Sequence, residues 1–122
     1  MIFSGRASSR MVRGEVTVAF QPHKKRPRVL VKKHYPIQPR DRRNPKGRPH
    51  PSKGRFLVKS IDVVNRADIS YDDIHAAGFS NRIDLESYLD KRYGADYGPF
   101  TDRSTFWRIE WEVIQVEDKA AA

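Results

Sequence analysis

Apolar and polar residues alternate from Gly14 to Phe20, with Val16, Val18 and Phe20 on one side and Glu15, Thr17 and Ala19 on the other. A period of two marks extended chain with one buried face, so a strand is predicted over 15–20. Val29 and Val31 repeat the alternation and predict a second strand over 28–33. Pro22 and Pro27 withhold ladder donors, which makes the 21–28 segment a turn at one rim of the sheet. Upstream, Phe3, Ala7 and Met11 are spaced for a helical stripe that stops before Gly14 at a C′ position, with Arg6, Arg10 and Arg13 on a neighbouring face.

Phe56 to Val64 (FLVKSIDVV) is rich in β-branched residues and predicts a buried, central strand, followed by a turn over 65–68. Ser70 is placed to cap a short helix with Asp73 as capping-box partner, and Gly78 to end it with Phe79 packing back on Ile74. A longer helix over 81–93 is predicted, capped by Ser80 and closed by Gly94, with Leu85, Tyr88, Leu89 and Arg92 along one side. A polar loop with scattered aromatics covers 95–104. From Thr105 to Val116 the alternation returns, setting Trp107, Ile109, Trp111 and Val113 against Arg108, Glu110 and Glu112, which predicts a long final strand. The tail, 117–122, is expected to fray.

The segment from His34 to Arg55 has five prolines, two glycines and almost no apolar residue after Ile37. Burial cannot offset the entropy of ordering it, so an exposed basic loop is expected at about 38–55. With 122 residues and 38% apolar content, the chain suits a single domain, 1–122, around one modest core. No apolar run approaches the ~20 residues of a membrane span, and the first residues lack the apolar core of a signal peptide. The absence of Cys excludes disulfides, thiolate zinc sites and a Cys nucleophile, and fits a reducing compartment. The expectation is a cytoplasmic protein with no membrane partner.

Charge changes the picture more than composition does. Up to Arg55 there are sixteen Lys and Arg against two acids, a balance of +14; from Phe56 onward eight face thirteen, a balance of −5. Clustering of this kind is the footprint of a phosphate-rich partner, RNA or DNA, although basic loops also serve solubility alone. The candidate binding residues are Arg13, then Gln21, His23, Lys24, Lys25, Arg26 and Arg28 of the turn, and Lys32 and Lys33 at the strand end. The loop adds Arg40, Arg42, Arg43, Lys46, Arg48, Lys53 and Arg55.

Little else carries chemistry. The four histidines, His23, His34, His50 and His75, are too dispersed for a ligand spacing, so no metal site is expected. GRPHPSKGR lacks the order of a phosphate-binding P-loop. Asp72 and Asp73 read as carboxylates complementing the first turn of a helix, and Trp107 and Trp111 as core in preference to a base-stacking platform. No cofactor and no catalytic residue is assigned.

The order of a helix, Gly14-Glu15-Val16-Thr17-Val18, a basic turn and a long strand, followed by Ile69-Ser70-Tyr71-Asp72-Asp73, Ala76-Ala77-Gly78-Phe79-Ser80, an amphipathic helix and an aromatic strand, resembles the ASCH domain of the PUA-like superfamily. The resemblance spans about 3–116 and implies an α+β fold, a small mixed β-barrel with two to three helices packed at its side. Members of that family bind RNA or act on nucleic-acid components, some as nucleases and some as amidohydrolases on acylated cytidine. The amidohydrolase-like members carry Gly-x-Lys-x-x-x-x-Arg with a Thr beside the Lys. Gly14 and Thr17 match, but Glu15 and Val16 stand where the Lys belongs and Gln21 where the Arg belongs, and Ala76 and Ala77 leave the following helix without a carboxylate. A Lys of lowered pKa that activates a hydroxyl is therefore missing. The reading is a nucleic-acid-binding domain, RNA ahead of DNA, using a basic face. The alternatives are a hydrolase, either a weak ribonuclease using His23 or His34 beside the cations or an enzyme on a modified nucleoside with a rearranged site, and an adaptor or inhibitor that binds an acidic protein surface.

Overall fold

The computed structural model describes residues 2–4, 10–24, 26–40 and 54–116. Its strands are β1 (Ile2–Ser4), β2 (Val18–Pro22), β3 (His34–Pro36), β4 (Gln38–Arg40), β5 (Gly54–Asn65) and β6 (Thr105–Val116). Two helices, α1 (Tyr71–Ala76) and α2 (Arg82–Tyr97), lie between β5 and β6, after a 3-10 turn at Arg66–Asp68. β5 and β6 pair antiparallel along their whole length, β2 joins the far side of β6 and β3 the far side of β5, giving the order β2-β6-β5-β3. β1 and β4 form a separate parallel pair.

Both faces of the four-stranded sheet are covered. On the first face Met11, Val29, Ile37, Phe56, Val58, Ile109 and Trp111 form one buried layer. On the second, Val18, Phe20 and Phe106 of the sheet meet Ile69, Ile74, Leu85 and Leu89 of the helical side. The one core expected from composition is thus split in two by the sheet. β5 is buried at Gly54, Phe56 and Val58, while Lys59, Asp62 and Val63 further along are exposed. Register shifts between Arg55 and Phe56 and between Val58 and Ser60 change the phase of that strand, so that Phe56 and Val58 before the second shift and Ile61 after it all face the first layer.

The helix boundaries follow from local chemistry. Ser70 caps α1 by accepting the Asp73 N–H at 3.1 Å, and Asn81 caps α2 by accepting the Asp84 N–H at 2.8 Å. Gly78, at φ 93°, ends α1: its N–H donates to His75 O and the Phe79 N–H to Ile74 O. Gly14, at φ 73°, repeats the device after a helical turn at 10–12, with Gly14 N–H on Met11 O and Glu15 N–H on Arg10 O.

Several expectations are corrected. Phe3 lies in β1 and not in a helix with Met11. Residues 28–33 are not a strand: Pro27 and Arg28 enter an irregular path, Lys32 turns at φ 65°, and the strand begins at His34. β2 starts at Val18, and Val16 packs against the first layer while Val18 and Phe20 belong to the second. Asn81, not Ser80, caps α2, which runs through Gly94 to Tyr97 because Gly94 has no steric reason to stop it and Gly98 supplies the cap. The Asp73 carboxylate turns to Arg108 in place of closing a capping box. Closure into a barrel is not reached by hydrogen bonding among the described residues, since β2 and β3 are the edges of an open sheet. Residues 41–53 of the expected loop and the tail 117–122 lie outside the described residues; Gln38–Arg40 pair as β4, and Gly54 and Arg55 begin β5.

Arginines tie the helices to the sheet. Arg108, on β6, donates from Nε and Nη2 to both Asp73 oxygens at 2.7 and 2.9 Å, with Glu110 at 3.2 Å. The bonds to Asp73 hold its pKa well above the ordinary arginine value. Arg66 is buried; desolvation alone would lower its pKa, but hydrogen bonds with Asp90 and Glu86 of α2 outweigh it and raise the pKa. Arg82 donates to Arg66 O and Ile69 O, satisfying carbonyls where the chain leaves β5.

Three outcomes test this architecture. Gly94→Ala, in a helix interior with nothing within 4 Å of the added methyl, is expected to stabilise the protein by about 0.5–1 kcal/mol in urea unfolding, whereas a Gly94 that ended the helix would give a loss. Gly78→Ala, whose Cβ would meet Arg10 at 2.8 Å and Val16 at 2.9 Å, is expected to cost at least ~1 kcal/mol. In a double-mutant cycle, Arg108 and Asp73 should couple by about 1–2 kcal/mol, while the exposed Arg13–Glu15 pair, 3.0 Å apart, should show less than about 0.5.

Candidate nucleic-acid interface

The segment between β2 and β3 crosses the sheet. It leaves β2 through a turn at His23 and Lys24, where the His23 N–H donates to Thr105 O at 3.2 Å and Trp107 Nε1 donates to His23 O at 3.1 Å. It reaches the opposite edge at Lys32 and Lys33, where the Lys32 N–H donates to Val58 O at 2.9 Å and Lys33 O accepts from Val58 N–H at 3.0 Å. Between these points Val29 alone among the described residues is fully buried, in the first layer, and the Leu30 N–H is held by the Tyr35 hydroxyl at 2.8 Å. The segment is therefore a strap, fixed at both ends by backbone bonds and at its middle by one apolar anchor.

Its outward side chains are cationic. Lys24, Arg26, Arg28, Lys32 and Lys33 are exposed, and none forms an ion pair with another described residue. Leu30 and Val31 stand exposed among them. Five of the described acids are committed to arginines elsewhere: Asp73, Glu110 and Asp62 surround Arg108, and Asp90 and Glu86 hold Arg66. A positive strap on one face and neutralised charge beneath the helices is the polarity that the sequence balance implies.

The other candidates are not all brought to this place. Arg13 is turned to Glu15, which removes much of its free charge. Gln21 lies on β2 opposite Trp107, beside the turn. Arg55 lies on β5 and donates from Nε to His34 Nδ1 at 3.0 Å. The register sets Pro22 against Phe106 but Arg55 against Gln115, nine residues along β6, so the two ends are separated by about 30 Å. Arg40 is in β4, at its last position. Lys25, Arg42, Arg43, Lys46, Arg48 and Lys53 lie outside the described residues.

The side chains with potential for catalysis lie apart. His23 Nδ1 lies 3.0 Å from Thr105 Oγ1, while His34 sits by Leu57, itself opposite Glu112. Seven positions of β6 separate the two histidines, more than ~20 Å, so they do not form an acid–base pair. Thr17, the matched hydroxyl of the hydrolase segment, donates its N–H to Ala76 O and accepts from Trp111 N–H, placing it beside the stretch of α1 that has no carboxylate. Among the described residues no group of three or more His, Asp or Glu is placed to hold a metal ion, and no helix is long and apolar enough to cross a membrane. Sequence reasoning assigned both tryptophans to the core; Trp111 is 1% exposed, but Trp107 is only half-buried. The signal that separates them is position, since Trp107 lies near the strand end, beyond the part of the sheet that the first layer covers.

No family model and no curated sequence relative matches the chain. Solved structures do. The chain is similar to protein EF3133 from Enterococcus faecalis V583, of family DUF984, with a TM-score of 0.67 at 10% identity over 92% of this chain and 72% of that one. It is similar to the ASCH domain from Lactobacillus crispatus JV V101, with a TM-score of 0.67 at 11% identity over 90% and 71%. A third similar structure is a point mutant of the ZmASCH protein from Zymomonas mobilis, at 0.61 and 11% identity over 98% and 74%. At such low identity the agreement speaks for backbone arrangement, and on that ground the chain has an ASCH-like fold.

Proposed function

We propose that the protein binds nucleic acid, RNA ahead of DNA, through the cations of the strap. The observation that supports this reading best is that five exposed Lys and Arg side chains follow a path anchored by backbone bonds and have no ion-pair partner among the described residues. Cations held this way gain most from a partner that brings its own regularly spaced anions, because releasing the partner's counterions supplies the binding free energy. Two similar structures carry the ASCH name, which accords with association with RNA. The same reading takes the open sheet and the β1–β4 pair as parts of a PUA-like barrel. Phosphate contacts set affinity and register, and the 41–53 segment, with five further cations, extends the contact if it lies along the same strand.

Salt titration tests the reading. If the five strap cations neutralise phosphates, log affinity for a single strand should fall with log salt at a slope of about −0.7 per contact, near −3.5 in total. Replacing Lys24, Arg26 and Arg28 by Gln should bring the slope to about −1.4 while leaving the thermal midpoint nearly unchanged, because exposed cations contribute little to folding. A response flat in salt, or equal affinity for an acidic protein of the same charge density, would remove the nucleic-acid reading.

A further inference from the structure

At the end of the sheet where the strap departs, the register sets Gln21, Trp107 and Val63 side by side on three neighbouring strands. One row further out come His23, whose N–H continues the ladder to Thr105 O, then Thr105 and its partner Asn65. Residues two apart on a strand share a face, and Trp107 and Val63 share theirs with Ile109 and Ile61 of the first layer. All six therefore lie on the strap side of the sheet.

This end of the face is open. Ile109 is fully buried, whereas Val63, two positions along its own strand from Ile61, is 47% exposed, and His23 and Asn65 are exposed. The rings of Trp107 and His23 stand at 82° with centroids 4.8 Å apart, forming a corner. Each ring is pinned: the indole N–H is used on His23 O at 3.1 Å, and His23 Nδ1 is 3.0 Å from Thr105 Oγ1. A side chain whose polar handle is already satisfied offers a further partner its π surface, and rings fixed in advance lose little entropy when they bind. Lys24 and Arg26 follow close after His23, so the corner opens beside two exposed cations that have no ion-pair partner among the described residues.

We infer that this corner holds an unstacked nucleobase of a single strand, with the base on the indole, the imidazole as side wall and the Gln21 amide offering a donor and an acceptor to the base edge. This rests on the nucleic-acid reading above and adds that bases, not only phosphates, are bound. Bases inside a duplex cannot lie on the flat end of a sheet, so single strands bind in preference to duplex.

The experiment compares a ten-nucleotide mixed-sequence single-stranded RNA with heparin, a polyanion without bases. RNA should quench the fluorescence of Trp107, with Trp111 shielded in the core, and heparin should not. Trp107→Leu should weaken RNA binding about tenfold and leave heparin binding unchanged; Trp107→Tyr should restore much of the loss. His23→Ala, at an exposed position that does not endanger the fold, should weaken RNA binding several-fold, again without effect on heparin. RNA binding unchanged in both variants, or equal loss for RNA and heparin, overturns the inference, while salt-dependent binding by the unaltered protein leaves the broader reading standing. If Trp107→Leu unfolds, quenching in the unaltered protein and the His23→Ala comparison decide, and absence of both effects overturns it. Failure of the unaltered protein to bind either polyanion removes both readings.

Discussion

The long β5–β6 ladder imposes the constraint that everything else meets: a two-sided sheet must be covered twice. The first face of the ladder carries Phe56, Val58, Ile109 and Trp111, and the second carries Phe106 beside Val18 and Phe20 of β2 together with the charged Arg108 and Glu110, so each face needs its own cover, apolar packing on one and packing plus ion pairs on the other. The second face is covered by helices, whose caps and arginine forks fix their angle on the sheet. The first is covered by material with little regular structure, namely the helical turn around Met11, Ile37 and the strap through Val29. A strap of this kind can be thin because it needs only one anchor to seal its part of the layer, and a thin strap must show most of its residues to solvent. The cations are outside for that geometric reason before any reason of function.

The electrostatics divide along the same partition. On the helical side, Arg108 lies among Asp73, Glu110 and Asp62, and Arg66 between Glu86 and Asp90, so half-buried charges are matched and bonded. On the strap itself, Lys24, Arg26, Arg28, Lys32 and Lys33 stand in water with no described acid within ion-pair distance. Pairing of the first kind holds layers together and contributes nothing to attracting a ligand. Charge of the second kind contributes little to stability and acts at a distance, which is the property that steers a polyanion to a surface.

What could be read from the sequence was what is decided locally. The run FLVKSIDVV, the alternation from Thr105 to Val116, the Ser70 cap and the glycine exits at Gly14 and Gly78 each rest on a few neighbouring residues, and each is present. The errors came where distant partners decide. Val29 and Val31 looked like a strand that returned to 15–20, but β2 bonds to β6, some ninety residues later, and this leaves the strap to follow its anchor. Gly94 looked like a helix end, and the Schellman exit that a glycine permits was not needed there. Phe3 fell at helical spacing from Met11, and pairing with Pro39 outweighed that pattern. The basic residues of the candidate interface were legible as composition, but their placement at ends of the sheet about 30 Å apart depended on register. The corner of Trp107 and His23 joins residues 84 positions apart, so no local pattern could have shown it.

The way the strap is held has a consequence for how such a protein can change over generations. Its course is set by main-chain bonds at Thr105 and Val58, by the Trp107 indole and Tyr35 hydroxyl bonded to its backbone at His23 and Leu30, and by the buried side chain of Val29. Backbone bonds are indifferent to the side chains of the residues that make them. Substitutions among Lys24, Arg26, Arg28 and Lys33 therefore alter what the surface attracts without altering where the chain runs, and selection can act on recognition there almost independently of folding, whereas Lys32, at φ 65°, also has a turn to keep. Lineages sharing this scaffold are free to diverge fastest on the strap while the ladder beneath it stays the same.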